Sequence, residues 1–102
     1  MYIDDLETPV VVIDLDILES NIKRMQQHLT KHGIKCRPHV KSHKIPAIAH
    51  MQIAAGAIGI TCQKLSEAEV MVNAGLNDIL IPYNIVGRKK IERLIRLDKR
   101  SK

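Results

Sequence analysis

Along the chain the apolar residues switch between short β-branched runs and longer stretches with helical spacing, and the switch repeats. Val10-Val11-Val12-Ile13 follows Thr8-Pro9 and stops at Asp14, which predicts a strand whose first position suits proline. From Asp16, the residues Ile17, Leu18, Ile22, Met25 and Leu29 recur with the period of a helix. Asp16 is the expected N-cap, with Glu19 completing a capping-box-like pair, and Gly33 is expected to end the helix. The same order then recurs: strand over Lys35–Lys41, helix over Pro46–Ala55 closed by Gly56, strand over Ile58–Cys62, helix over Ser66–Ala74 closed by Gly75, strand over Asp78–Ile81. Each closing glycine stands where a left-handed residue satisfies the last helical carbonyls without a Cβ penalty. A final helix, from Arg88 to about Arg96, is expected to present Ile91, Leu94 and Ile95 on one face.

Strands alternating with helices every twenty residues or so imply parallel pairing through right-handed crossovers, and therefore an α/β fold. An open doubly wound sheet and part of a (β/α)8 barrel both satisfy that pattern. No GxGxxG follows a strand and Gly59 stands alone inside one, so the dinucleotide fingerprint is missing and the barrel is favoured.

Composition narrows the function classes. With 45% hydrophobic and 26% charged residues in 102, the chain is a single globular domain at most. It has no Phe and no Trp, which removes the aromatic platforms that single-stranded nucleic acid stacks on. Much of the net charge of +5 lies between Arg88 and Lys102, as a solvated tail would. Cys36 and Cys62 lack CxxC spacing and are expected to be small buried thiols in a reducing cytoplasm. There is no signal-like apolar region, and no run approaches the roughly 20 apolar residues that span a bilayer. No nucleic-acid or membrane partner is expected.

The titratable chemistry concentrates in Arg37-Pro38-His39-Val40-Lys41-Ser42-His43-Lys44. If Lys35–Lys41 is a strand, Arg37, His39 and Lys41 share one face, and Cys36, Pro38 and Val40 the other. In a barrel the polar face points inward, and the carboxyl ends of the strands carry the active site. Lys41 would then point into the mouth, while Lys44 lies beyond the strand. Burial and the neighbouring cations Arg37, His39 and His43 would favour the neutral amine that imine formation needs, making Lys41 a candidate Schiff-base nucleophile for an anionic carbonyl ligand. On spacing alone a solvated basic loop carries more weight than this covalent lysine. A metal site on His39 and His43, which lacks a nearby third ligand, and a nucleic-acid contact carry less.

The segments "TPVVVIDLDILESNI", "RPHVKSHK" and "AAGAIGITCQKLSEAEVMVNAGLNDILIPYNIVG" together resemble the amino-terminal part of the D-threonine aldolase and D-serine dehydratase group, within the alanine racemase-like (fold type III) pyridoxal-phosphate enzymes. The resemblance runs from Thr8 to Leu97. It implies that Lys41 holds pyridoxal 5′-phosphate as an internal aldimine, and that His39, Gln63 and Asn84 are cofactor-pocket residues at the barrel mouth. Glu67 and Glu69 are expected to serve the first turn of their helix, with Ser66 as its cap. The implied activity is a lyase reaction on a β-hydroxy D-amino acid: retro-aldol cleavage to glycine and an aldehyde, or dehydration of D-serine. The cofactor is the electron sink. In the group a divalent metal is held by the carboxyl-terminal part, so no metal ligands are expected here.

Eight strands close such a barrel within about 250 residues. Residues 1–102 are therefore expected to be its first βα units, a truncated portion without a second domain and inactive alone, whose full-length family is homo-oligomeric. The alternatives are a non-catalytic cofactor-binding or assembly module, and a racemase-like member of the same fold.

Overall fold

A computed structural model describes Tyr2–Ser101. After a 3-10 turn at Ile3–Asp5 come α1 (Leu15–Lys31), α2 (Pro46–Ala54), β1 (Ile60–Thr61), α3 (Leu65–Asn73), β2 (Ile79–Leu80) and α4 (Arg88–Arg100). The helices fall where the apolar periodicity predicts them. Their ends differ in instructive ways.

α1 is capped by Asp14, not Asp16: the Asp14 carboxylate accepts the Ile17 backbone N–H at 3.0 Å. Asp16 instead lies in the first turn, where its charge favours the positive end of the helix. Gly33 adopts φ +68, and the Ile34 N–H reaches back to Leu29 O at 2.9 Å, closing the helix as expected. α3 begins one residue earlier than predicted, with Lys64 at the N-cap and no side-chain cap; Ser66 is exposed within the first turn and caps nothing. α4 runs on to Arg100.

β1 and β2 pair in parallel, Ile60 opposite Ile79 and Thr61 opposite Leu80. On the other side of β1, Ile58 N–H donates to Cys36 O (2.9 Å), Thr61 N–H to Pro38 O (2.8 Å) and Val40 N–H to Thr61 O (2.9 Å), so the segment leading to His39 lies alongside as a third parallel chain. It ends earlier than the expected strand because the Val40 carbonyl accepts the Lys44 N–H at 2.8 Å and turns the backbone. The expected strand at Val10–Ile13 does not form. The run is exposed, Val11 by 90%, and has no ladder partner among the described residues; β-branched residues favour the extended backbone but only a neighbouring strand completes it.

The core collects under this three-chain ladder: Val40, Ala49, Ile60, Cys62, Leu65, Ala68, Met71, Leu76 and Leu97. α3 packs against α4 and α1 against α2. The buried line of α4 is Leu97 with half-buried Leu94, whereas Ile91 and Ile95 face outward. The predicted face was therefore turned, because α4 docks on α3 through Arg93 and Glu69, which form two hydrogen bonds of 2.9 and 2.5 Å. At the opposite end of the ladder Arg37 donates to Asp78 Oδ1 at 2.8 Å. Gly59 leaves room for that contact, since a Cβ there would stand 2.2 Å from Arg37 Nη1.

Candidate functional site

Parallel pairing sends the carboxyl ends of the three chains to one edge, and the residues just beyond those ends are His39–Lys44, Gln63 and Tyr83–Ile85. The turn after His39 carries the lysines. His39 Nδ1 accepts the Lys41 backbone N–H at 3.2 Å, which assigns the ring proton to Nε2. That Nε2 is buried and has no partner among the described residues. His43 Nδ1 accepts the Ile45 N–H at 3.0 Å; burial lowers the imidazole's proton affinity, opposed by the neighbouring Gln52 side chain and the Ile45 amide. Both histidines thus use one ring nitrogen to shape the backbone of this turn.

The two lysines differ sharply. The Lys41 side chain is exposed and makes no hydrogen bond or ion pair among the described residues. The burial expected of it from the strand pattern is not observed. Lys44 adopts φ +56, a left-handed conformation uncommon for a side-chain-bearing residue, and donates from Nζ to Glu67 Oε1.

Glu67 is the residue whose position the sequence pattern undervalued. Only 7% exposed, it accepts Lys44 Nζ on one oxygen and the Gln63 backbone N–H on the other, at 2.8 Å. It does serve the first turn of α3 as expected, yet it also ties that helix to the lysine-bearing turn. Burial works against its charge, but hydrogen bonds from Lys44 and the Gln63 amide, with the charges of Lys44 and Lys64, hold its carboxyl below the usual range. Nothing local pairs Lys44 with a residue so far along the chain. Glu69, by contrast, is held ionised chiefly by Arg93.

Gln63 and Asn84 come together: with Tyr83, Lys90 and Arg93 they line an open cleft of about 160 Å³ between the end of β1 and the start of α4. Gln63 Oε1 is buried and unpartnered among the described residues, whereas Asn84 is exposed. His39 and Lys41 do not line that cleft; they stand on the neighbouring turn. Arg37 is committed to Asp78 and contributes no cation here. Cys62 is fully buried, and burial, then the Glu67 charge, pushes its thiol up to about 11, which makes it inert. Among the described residues no three His, Cys, Asp or Glu side chains gather as metal ligands, and no helix is long and apolar enough to cross a membrane.

An unpartnered buried donor on His39, an unpartnered buried acceptor on Gln63 and an unengaged primary amine on Lys41 fit a carbonyl-bearing polar group. Known proteins give that edge a context. The chain is 44% identical over 97 residues to the D-threonine aldolase of an Arthrobacter species, covering 95% of this chain and 26% of the relative. The crystal structure of D-threonine aldolase from Filomicrobium marinum superposes with a TM-score of 0.93 at 49% identity, over 96% of this chain and 27% of that one. D-threo-3-hydroxyaspartate dehydratase from Delftia sp. HT23, of which a variant has also been solved in a metal-free form, gives 0.88 at 43% identity, over 94% and 25%. The chain thus spans about a quarter of the length of the proteins it matches. The family model for the alanine racemase N-terminal domain matches residues 13–100, and with the parallel βα units and the lysine turn at their carboxyl edge this places the chain in that family, among the fold type III pyridoxal-phosphate enzymes.

Proposed function

We propose that this chain supplies the lysine-bearing first βα units of a pyridoxal-phosphate lyase acting on β-hydroxy D-amino acids, either as an aldolase or as a dehydratase. The observation that carries the reading is the Lys41 amine, unengaged among the described residues, on the turn that also carries His39, whose buried Nε2 is unpartnered among the described residues, as is Gln63 Oε1 beyond β1. Lys41 would hold the cofactor covalently, while His39 would donate to it and Gln63 accept from it; Asn84 stands at the outer rim of the Gln63 cleft. When bound, pyridoxal phosphate supplies an electron sink for negative charge left at the substrate Cα. His39 orients the lysine by accepting the Lys41 N–H, and Glu67 fixes Gln63 by accepting its N–H. A divalent metal belongs to this proposal only as part of a longer, homo-oligomeric enzyme; among the described residues no three His, Cys, Asp or Glu gather to hold one. The two free thiols suit a reducing compartment such as the cytoplasm.

The test is to add pyridoxal phosphate to the purified protein, reduce with borohydride and locate the modified lysine by peptide mass mapping. Selective modification of Lys41, abolished in Lys41→Ala, supports the reading. Modification spread over Lys35, Lys64 and the lysines of α4 would sink it.

A second reading, a non-catalytic module that assembles with another chain, is favoured by the unpaired Val10–Ile13 run and by α1, which has no buried residue. A stable complex that binds the cofactor without turning over D-threonine or 3-hydroxyaspartate would favour it.

A further inference from the structure

Two lysines lie on one turn, three positions apart, and only one can be the point of attachment. Strand alternation alone prefers Lys41, yet Lys41 and Lys44 are both exposed and both on flexible four-carbon stems. Exposure therefore does not discriminate between them. Their partners do: Lys44 Nζ is engaged by a buried carboxylate, and Lys41 Nζ by nothing among the described residues.

Condensing a lysine with an aldehyde forms a carbon–nitrogen double bond and releases water, the aldehyde oxygen leaving with both protons of the neutral amine. An ammonium must first lose its third proton to solvent. For Lys44 to reach a carbonyl its Nζ must also leave Glu67 Oε1, so that the carboxylate stays buried in α3 without its hydrogen-bonded partner, the arrangement in which an unpaired charge is most costly. Lys44 combines a left-handed backbone with the Nζ contact to Glu67 Oε1. We infer that Glu67 is a selectivity residue: by engaging Lys44 it removes that lysine from competition and leaves Lys41 as the amine that captures a carbonyl ligand. Glu67 touches neither ligand nor reacting atom, so it is a positioning residue. The same carboxylate sets the amide of Gln63, so one buried side chain coordinates both halves of the site.

The inference rests on the reading of Lys41 as the attachment lysine, and the experiment separates the two. The protein and its Glu67→Gln variant, which keeps an acceptor for the Gln63 amide but loses the charge, are incubated with pyridoxal phosphate, reduced with borohydride and mapped. In the unmutated protein nearly all of the label is expected on Lys41, with a small measurable share on Lys44. In Glu67→Gln the Lys44 share should rise about tenfold or more, a buried-pair effect discounted for the exposure of Lys44, while Lys64 stays unlabelled. Glu67→Asp, which restores the charge, should return the label toward Lys41. Lys44 remaining unlabelled in a folded Glu67→Gln protein overturns the inference and leaves Lys41 in place; no label on Lys41 in the unmutated protein overturns the functional reading instead. A measurement independent of variant folding is native-state reductive methylation with formaldehyde of the unmutated protein. Lys44 should react several-fold more slowly than Lys64, an exposed lysine beside the same carboxylate but not hydrogen-bonded to it, and equal rates would defeat the inference.

Discussion

α1 and α3 are both amphipathic helices that follow a β-branched run, yet α1 buries none of its seventeen residues while α3 buries four of nine, Leu65, Glu67, Ala68 and Met71. The difference lies in the strands before them. β1 is flanked on both sides by parallel chains, so the helix that follows is pressed onto a closed apolar surface. Val10–Ile13 has no neighbour among the described residues, and α1 rests on α2 with only Leu18, Ile22, Gln26 and Leu29 partly covered. Helical stability in proteins comes mainly from packing an apolar face, so equal periodicity in sequence does not confer equal burial. The proposed lysine site stands at the carboxyl edge of the region where the ladder is complete.

The sharpest test of the contrast is one substitution made twice. Met71→Ala, at a side chain 1% exposed, should cost about 2–5 kcal/mol in denaturant unfolding, and Met25→Ala on α1, 57% exposed, should stay within about 0.5 kcal/mol. Comparable losses at both positions would erase the distinction. Next in size is the tie between α3 and the lysine turn: Glu67→Ala leaves Lys44 and the Gln63 N–H without their acceptor and should cost about 2 kcal/mol, a buried-pair effect discounted because the Lys44 side chain is 56% exposed.

That tie also has a pH signature. Glu67, Glu69 and Asp78 all have carboxyls held below the usual range, so their stabilisation is complete above the unfolded-state values and is lost as pH falls through the folded ones. Unfolding free energy should fall gently below about pH 6.5, where the buried His43 takes up a proton less readily folded than unfolded, and more steeply below about pH 4 as the three carboxylates protonate, the steep part being shallower in Glu67→Gln. An unchanged steep phase in Glu67→Gln would show that the buried carboxylate does not contribute to it.

Gly59→Ala probes the far end of the ladder. The new Cβ would stand 2.6 Å from the Asp78 carbonyl as well as against Arg37, so the Arg37–Asp78 pair must shift, at a cost of about 1–3 kcal/mol by the same unfolding measurement. The smallest effect is expected at the less buried helix: Asp14→Ala removes the cap of α1 and should lower stability by about 1 kcal/mol, with faster amide exchange confined to the first turn of α1.

Much of this was legible in the residues themselves. Apolar spacing located all four long helices, Gly33, Gly56 and Gly75 marked the ends of three of them, and βα alternation implied parallel pairing. These are local properties, because a period of 3.6, a left-handed glycine and a short crossover each act within a few residues. The "RPHVKSHK" segment pointed to the turn that carries the lysines for the same reason. Caps were less legible: Asp14 and Asp16 are both competent, and only the backbone path into α1 chose between them.

What tertiary structure alone decided was which groups at long range would meet. Arg37 went to Asp78 rather than into the site, the inward face of α4 became Leu94 and Leu97, and Glu67 became the shared acceptor of Lys44 and Gln63. Sequence spacing carries no record of such pairs, since they arise when the ladder stacks α3 beneath the turn after His39. The chain by itself determined where the helices run and that a lysine would stand near a strand's end; the packed sheet determined which lysine meets Glu67, because a buried carboxylate needs a partner that only the tertiary fold brings to it.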